Sequence, residues 1–324
     1  MVRAIRIHTY GGPEVLRFED VELASPGPGE ARVRNTAIGL NYIDTYHRTG
    51  LYPLASLPAV IGMEGAGVVV AVGPGVGDIK AGDRVAYANP IGAYAEERLI
   101  PADRLVKLPD AIADESAAAM MLQGMTAEYL LRRTFKVGPD TVMLFHAAAG
   151  GVGLIACQWA RHLGATVIGT VGSDEKAALA KAAGCTHVIN YRTERFVDRV
   201  REITGGKGCD VVYDGIGKDT YPGSLDCLKP YGLWVSFGSA SGKIENFDLG
   251  LLAAKGSLYA TRPTLFTYTA KREDLVGSAN ALFDVVSKGI VTIAVNQRYP
   301  LAAAADAHRD LEARRTTGST VLLP

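Results

Sequence analysis

Up to about residue 113 the chain alternates apolar and polar positions in short runs. Arg3–Thr9, Glu30–Ala37, Gly65–Val72, Arg84–Ala88 and Ala95–Ile100 each read as a strand. Glycine and proline punctuate them at Gly11-Gly12-Pro13, Pro26-Gly27-Pro28-Gly29 and Gly73-Pro74-Gly75. This pattern predicts a small antiparallel barrel or sandwich. From Asp114 the period changes to that of a helix. Asp114–Phe135 is rich in Ala, Met and Leu, and Val137-Gly138-Pro139-Asp140 ends it.

Apolar strands and helices then take turns. Strands are expected at Val142–His146, Thr166–Val171, His187–Tyr191, Asp210–Tyr213 and Leu233–Phe237, with a further one at Ser257–Thr261. Helices are expected at Val152–Leu163, Ser173–Ala183, Glu194–Thr204 and Thr220–Leu228. Such alternation predicts an α/β domain with a doubly wound parallel sheet. The rest of the chain carries two helices, Lys271–Lys288 and Ala302–Arg314, and a strand, Thr320–Leu323.

Composition narrows the function classes. The 34 Lys+Arg balance the 34 Asp+Glu, which argues against a broad nucleic-acid or membrane-surface patch. Thr141–Ala160 is uncharged and long enough to span a bilayer. Its central Gly150-Gly151-Val152-Gly153 instead suits a buried strand followed by a buried helix, so no membrane span is expected. The four cysteines, Cys157, Cys185, Cys209 and Cys227, form no Cys-x-x-Cys pair and imply a reducing, cytoplasmic compartment. The six histidines are scattered and suggest no metal site. Glycine, at 37 of 324 residues, exceeds the usual ~7%.

Part of that glycine carries chemistry. Ala148-Ala149-Gly150-Gly151-Val152-Gly153 joins the first strand of the alternating half to its first helix. It matches Gly-x-Gly-x-x-Gly with Ala148 in the first position. Gly150 admits a pyrophosphate to the backbone, the helix offers free N–H groups at its positive end, and Gly153 lets that helix pack closely on the sheet. The next strand ends at Gly172-Ser173, where an NAD site would place Asp or Glu. A hydroxyl at Ser173 and an ammonium at Lys176 would accept a 2′-phosphate, which favours NADPH. Tyr191 can add a hydroxyl at the same edge. Against this, Ser173 and Asp174 also suit simple helix capping.

These residues resemble the medium-chain dehydrogenase/reductase superfamily, and within it the zinc-independent NADPH:quinone oxidoreductase branch that includes zeta-crystallin. The resemblance runs over the whole chain. It rests on Gly11-Gly12-Pro13-Glu14-Val15-Leu16, Asn41-Tyr42-Ile43-Asp44-Thr45-Tyr46, Gly50-Leu51-Tyr52-Pro53, Lys80-Ala81-Gly82-Asp83-Arg84-Val85, the glycine turn, Val188-Ile189-Asn190-Tyr191 and Val235-Ser236-Phe237-Gly238. It implies a GroES-like catalytic domain from residues 1–122 and 265–324, with a Rossmann cofactor domain, residues 123–264, between them. The zinc-dependent branch has Cys near Asn41 and Gly-His-Glu where this chain has Gly62-Met63-Glu64. Two soft ligands are thus missing, and no metal is expected.

The resemblance also implies roles. Asn41, Tyr46, Tyr52 and Thr126 would lie beside the nicotinamide. Gly172, Ser173, Lys176 and Tyr191 would take the adenosine phosphate, and Phe237, Gly238, Ser239, Arg262 and Arg314 the rest of the cofactor. Read from the residues alone, Asn41 and Tyr46 equally suit loop hydrogen bonding, Thr126 capping or packing, and Arg314 a helix C-terminus. Asp44 and Glu64 are expected to be solvated or helix-capping. The activity implied is NADPH-dependent quinone reduction without metal or flavin, by a homodimer joined near Ser257–Thr261. The alternatives are an enone or 2-alkenal double-bond reductase, and a non-enzymatic structural or RNA-binding protein that holds the cofactor.

Overall fold

Glu30–Leu40 is the strand around which the N-terminal part is built. Its burial alternates as the sequence pattern requires, and it pairs antiparallel with Glu64–Val72 along most of its length. Its beginning also pairs with Glu97–Pro101 and its end with Ser319–Leu323. The sheet runs in the order Val295–Pro300, Ser319–Leu323, Glu30–Leu40, Glu64–Val72, Arg84–Tyr87, Val106–Lys107. A second sheet places Val2–Ile7 between Arg17–Val21 and Ala59–Val60. Ile5, Ile7, Val33, Ile38, Tyr87, Tyr94, Ile100 and Leu322 fill the core, each worth about 1.5–3 kcal/mol of transfer free energy.

The computed structural model describes residues Met1–Pro324. Contacts divide them into two units. Met1–Met125, Thr269–Ser287 and Ile293–Pro324 form the first, Thr126–Tyr268 and Lys288–Thr292 the second. The joins lie about one helical turn beyond the expected 122 and 264.

The second unit is a six-stranded parallel sheet, ordered His187–Asn190, Thr166–Val171, Val142–Phe145, Cys209–Asp214, Leu228–Ser236, Tyr259–Thr261. This is the doubly wound order in which the first two crossovers run one way and the remainder the other. The uncharged run becomes the strand Val142–Phe145 and the helix Gly151–His162. No helix is long and apolar enough to cross a membrane.

Several expected elements differ. The single helix Asp114–Phe135 is two helices, Asp114–Ala118 and Met121–Tyr129, with a π-helical turn at Leu130–Thr134. The Ser319 hydroxyl oxygen lies 3.0 Å from the Ala119 carbonyl oxygen, in the break between the first two. Thr220–Leu228 shrinks to a turn at Gly223–Asp226, because Pro222 has no N–H and Leu228 already belongs to the next strand. The helix at Ala302–Arg314 spans Ala304–Glu312, and Arg314 stands beyond it in the left-handed region at φ 59°. Arg17–Val21 and Val295–Pro300 were not expected as strands. Neither contains a buried residue, so neither carries a clear apolar signal.

One guanidinium ties distant parts of the first unit. Arg48, 1% exposed, sits on the helix Tyr42–Thr49. It donates to the Gly11 carbonyl (3.1 Å), His308 Nδ1 (2.9 Å) and both Glu312 oxygens (3.0 and 2.7 Å). Because arginine only donates, His308 Nδ1 must accept. His308 Nε2–H then faces Tyr94 Oη at 3.1 Å, and Tyr94 O–H donates to Asp44 Oδ2 at 3.0 Å. Burial and the Arg48 charge push His308 down to about 3, so the ring stays neutral. Arg48→Met is expected to lower stability by about 3 kcal/mol, since it strands these acceptors. Urea melts of the two proteins measure it.

Candidate functional site

In the second unit, the turn Ala147–Gly153 follows the first strand of the sheet. Ala147 takes φ 54° and Gly150 is the N-cap of Gly151–His162, with no side chain capping the helix. A Cβ on Gly153 would lie 2.4 Å from the Ala147 carbonyl oxygen, so only glycine lets the helix sit this close. The result is a 12-residue helix whose first amides and positive dipole end have no side-chain acceptor. Gly150, Gly151, Val152 and Gly153 thus form a turn that fits a pyrophosphate.

Buried polar groups hold the base of this turn. His146 hydrogen-bonds Thr170 Oγ1 through Nδ1 (3.0 Å) and Ser224 Oγ through Nε2 (3.1 Å). Fully buried Asp214 accepts from Ser224 Oγ (2.8 Å), Thr220 Oγ1 (2.8 Å) and the amides of Ile216 (2.9 Å) and Gly217 (3.0 Å). The sequence reading missed Asp214. Its signal was an acid closing the apolar run Val211-Val212-Tyr213.

At the edge expected for the adenosine phosphate, the Tyr191 hydroxyl lies over Gly172, 2.5 Å from where a Cβ would stand. Ser173 Oγ accepts from the Lys176 amide at 3.3 Å, so it does cap the helix Asp174–Ala182. Asp174 is exposed, and Asn190 Nδ2 donates to its carboxylate at 2.9 Å. That contact engages the carboxylate next to Ser173.

Arg262 serves the loop after Leu228–Ser236. It donates to the carbonyls of Ser236 and Gly238 (2.8 Å each) and to Ser239 Oγ (3.2 Å). The Phe237 ring packs 5.7 Å from Phe145. Thr126 lies inside the helix Met121–Tyr129 rather than at its cap, and hydrogen-bonds the Tyr129 side chain.

The first unit holds the other group. Asn41 is the extended N-cap of Tyr42–Thr49, and its amide donates to Asp44 Oδ2 at 2.8 Å. Its Nδ2 donates to Glu64 Oε2 at 2.7 Å, and its Oδ1 accepts from Gln123 Nε2 at 3.0 Å. Gln123 Oε1 accepts from Ser319 Oγ at 2.7 Å, while Glu64 Oε1 accepts the Leu122 amide at 2.8 Å. Gly39 makes room: a Cβ there would stand 2.6 Å from Glu64 Oε2 and 2.1 Å from the Ala118 carbonyl oxygen. Tyr46 and Tyr52 meet edge to face at 5.2 Å, the first 8% and the second 36% exposed. Arg314 acts electrostatically on Tyr42 in the same unit. Gln123 and Ser319 had no motif to mark them.

Of the two roles expected for Asp44 and Glu64, capping is the one found. Each caps a helix, and neither is solvated: both are 0% exposed. Burial pushes Asp44 up to about 7, against the Asn41 amide and the Tyr94 hydroxyl. It pushes Glu64 up to about 8, against Asn41 and Leu122 and with the Asp44 charge. Both carboxyls hold protons more tightly folded than unfolded, so their contribution to stability is fullest at acid pH. It falls as pH rises from the unfolded 4.5 through about 8 for Glu64. Urea midpoints at about pH 5 and about pH 8.5 should therefore differ less in Glu64→Gln than in the parent chain.

No group of three or more His, Cys, Asp or Glu side chains is placed to hold a metal ion. Residues 151–272 match the family model described as zinc-binding dehydrogenase, and residues 27–110 the alcohol dehydrogenase GroES-like domain. A quinone oxidoreductase of Pseudomonas aeruginosa is 56% identical over 325 residues, covering 100% of both chains. A 2-haloacrylate reductase of a Burkholderia species is 51% identical over 334 residues, covering 100% of this chain and 99% of the relative. The crystal structure of Escherichia coli quinone oxidoreductase complexed with NADPH superposes with TM-score 0.98 at 53% identity, covering 99% of this chain and 100% of that one. The chain belongs to the quinone oxidoreductase branch of the medium-chain dehydrogenase/reductase family.

Proposed function

We propose that this protein reduces quinones with NADPH, using neither metal nor flavin. The observation that carries the substrate class is the full-length identity of 53% and 56% to two quinone oxidoreductases. The uncapped glycine turn supports the cofactor. Gly150, Gly151, Val152 and Gly153 would hold the pyrophosphate on backbone amides. Gly172, Ser173, Lys176 and Tyr191 would take the 2′-phosphate, since Gly172-Ser173 stand where an NAD site would place Asp or Glu. Phe237, Gly238 and Ser239, braced by Arg262, and Arg314 would line the remainder.

NADPH, when bound, supplies the reducing equivalents. Asn41 and Thr126 would orient the nicotinamide by hydrogen bonds. Tyr46 and Tyr52, packed edge to face, would present an apolar wall to the acceptor and keep water from it. No strong acid is needed, since water can protonate a quinone oxygen after electrons arrive. The metal-free reading rests on the donor set. An amide at Asn41 and a thioether at Met63 are poor zinc ligands, and both Glu64 oxygens are already engaged.

Reduction of an activated C=C bond is the second reading, favoured by the 51% identity to a 2-haloacrylate reductase. There Tyr46 or Tyr52 would supply the proton. A homodimer through the edge strand Tyr259–Thr261 is supported by Tyr259, Leu249 and Tyr231, which are 62%, 71% and 72% exposed. Four unpaired, buried cysteines suit a reducing cytoplasm.

NADPH oxidation followed at 340 nm with an ortho-quinone, a para-quinone and a 2-alkenal tests the reading. Turnover is expected with the quinones above the alkenal, and no turnover of either quinone would end it. Lys176→Ala should raise the Kd for NADPH by about 10–100-fold and leave NADH nearly unchanged. Equal weakening of both would remove the 2′-phosphate assignment.

A further inference from the structure

The polar chain through Asn41 has a direction. Ser319 Oγ–H points to Gln123 Oε1, Gln123 Nε2–H to Asn41 Oδ1, and Asn41 Nδ2–H to Glu64 Oε2. Each amide donates at one end and accepts at the other, so turning one turns all. Fixed donors anchor the far end: the Leu122 backbone amide, 2.8 Å from Glu64 Oε1, and the Met121 amide beside it. That oxygen must always accept. The polarity of everything between Ser319 and Glu64 is then decided at Glu64 Oε2, by whether it accepts or donates.

We infer that Glu64 is a positioning residue whose carboxyl sets which end of the Asn41 amide faces Gln123, and so which hydrogen-bonding group Asn41 presents to its ligand. The inference rests on the reading of Asn41 as a cofactor or acceptor contact. As a carboxylate, Glu64 accepts from Asn41 Nδ2. As a carboxylic acid, its Oε2–H donates to an inverted Asn41. Asn41 Nδ2 then donates to Gln123 Oε1, and Gln123 Nε2 to Ser319 Oγ. Ser319 keeps its own hydrogen for the Ala119 carbonyl, 3.0 Å away. In both arrangements the Gln123 and Asn41 amides and the Glu64 carboxyl each keep a partner at either end, which makes the chain two-state.

The surroundings allow the proton to come and go. Glu64 is fully buried and faces one other acid, Asp44, from the helix Tyr42–Thr49. Tyr87 and Tyr94 are the other titratable groups against it, both held above the ordinary tyrosine range by burial and therefore neutral. The Arg98 guanidinium stands behind Tyr87, 4.7 Å from its ring centre. The helix Met121–Tyr129 and the strand Ser319–Leu323 bring the Met121 and Leu122 amides, Gln123 and Ser319. Asp44 titrates nearby, but it meets Asn41 through the backbone amide and has no hold on the side chain's polarity. Burial places the Glu64 change at about 8.

Glu64→Gln tests this, because glutamine copies the acid: its oxygen accepts from Leu122 and its Nε2 donates to Asn41. The variant should fold and bind NADPH as the parent does, since the adenosine contacts are untouched. Its kcat for quinone should fall at least about tenfold at alkaline pH. The parent kcat should rise with pH through a limb near 8, and the variant should lack that limb. A parent profile with no such limb, or a variant that keeps kcat and the limb, overturns the inference. Nuclear magnetic resonance of the Asn41 side-chain amide gives a readout independent of turnover. Its shifts should titrate in the parent and stay constant in Glu64→Gln, and a parent amide indifferent to pH overturns the inference. Were the parent to reduce no quinone, the functional reading would fail while the amide titration still decided this one.

Discussion

Two directional hydrogen-bond chains end at Asn41, and the first unit is arranged around that meeting. One begins at Arg48, which only donates, and passes through His308 and Tyr94 to Asp44, which accepts from the Asn41 backbone. The other begins at Ser319 and reaches Glu64 through the Asn41 side chain. Two carboxyls without exposure cost several kcal/mol each in lost hydration unless the protein supplies donors. Here the donors are the Asn41 backbone amide and the Tyr94 hydroxyl for Asp44, and the Asn41 side chain and the Leu122 amide for Glu64. The backbone and side chain of one residue are thereby held separately, which fixes Asn41 more firmly than a loop position could.

The second unit meets the same constraint differently. Asp214 takes its donors from two amides and two hydroxyls of its own strand-to-helix loop. His146, linked to it through Ser224, braces the strand that enters the glycine turn. The turn itself spends no side chain on its helix. Polar satisfaction is thus complete under the loop and withheld at its tip, where the amides stay available to an anion.

The sequence made the strand-rich start, the alternating half and the glycine turn legible, because each depends on local periodicity or on a glycine where a Cβ would collide. That Gly172, Ser173 and Tyr191 come together could be read too, because they follow adjacent strands of one parallel sheet. What stayed hidden was assembled over long separations. Glu64 and Asp44 look like ordinary surface acids until the register of Glu30–Leu40 with Glu64–Val72 turns Glu64 inward and the capping of Tyr42–Thr49 buries Asp44. Gln123 and Ser319 acquire meaning only when the sheet brings Ser319 beside the helix Met121–Tyr129. Pro222 was visible in the sequence, and the helix expected across it was a misreading of an apolar run. Arg17–Val21 and Val295–Pro300 form strands through pairing alone, with no buried face to announce them.

The placement of Ser319–Leu323 has a consequence for how the molecule is made. This strand lies inside the larger sheet, between Val295–Pro300 and Glu30–Leu40, and Leu40 pairs with Thr320. Synthesis from the N-terminus therefore delivers Glu30–Leu40 long before one of its neighbours exists. The second unit comes almost wholly from one continuous segment and can close while the first still waits with an unpaired strand edge. During that interval the chain carries an open template for pairing with another copy of itself. The burden of avoiding misassembly falls on the nascent protein, and it ends when Ser319–Leu323 has been made and takes its place inside the sheet.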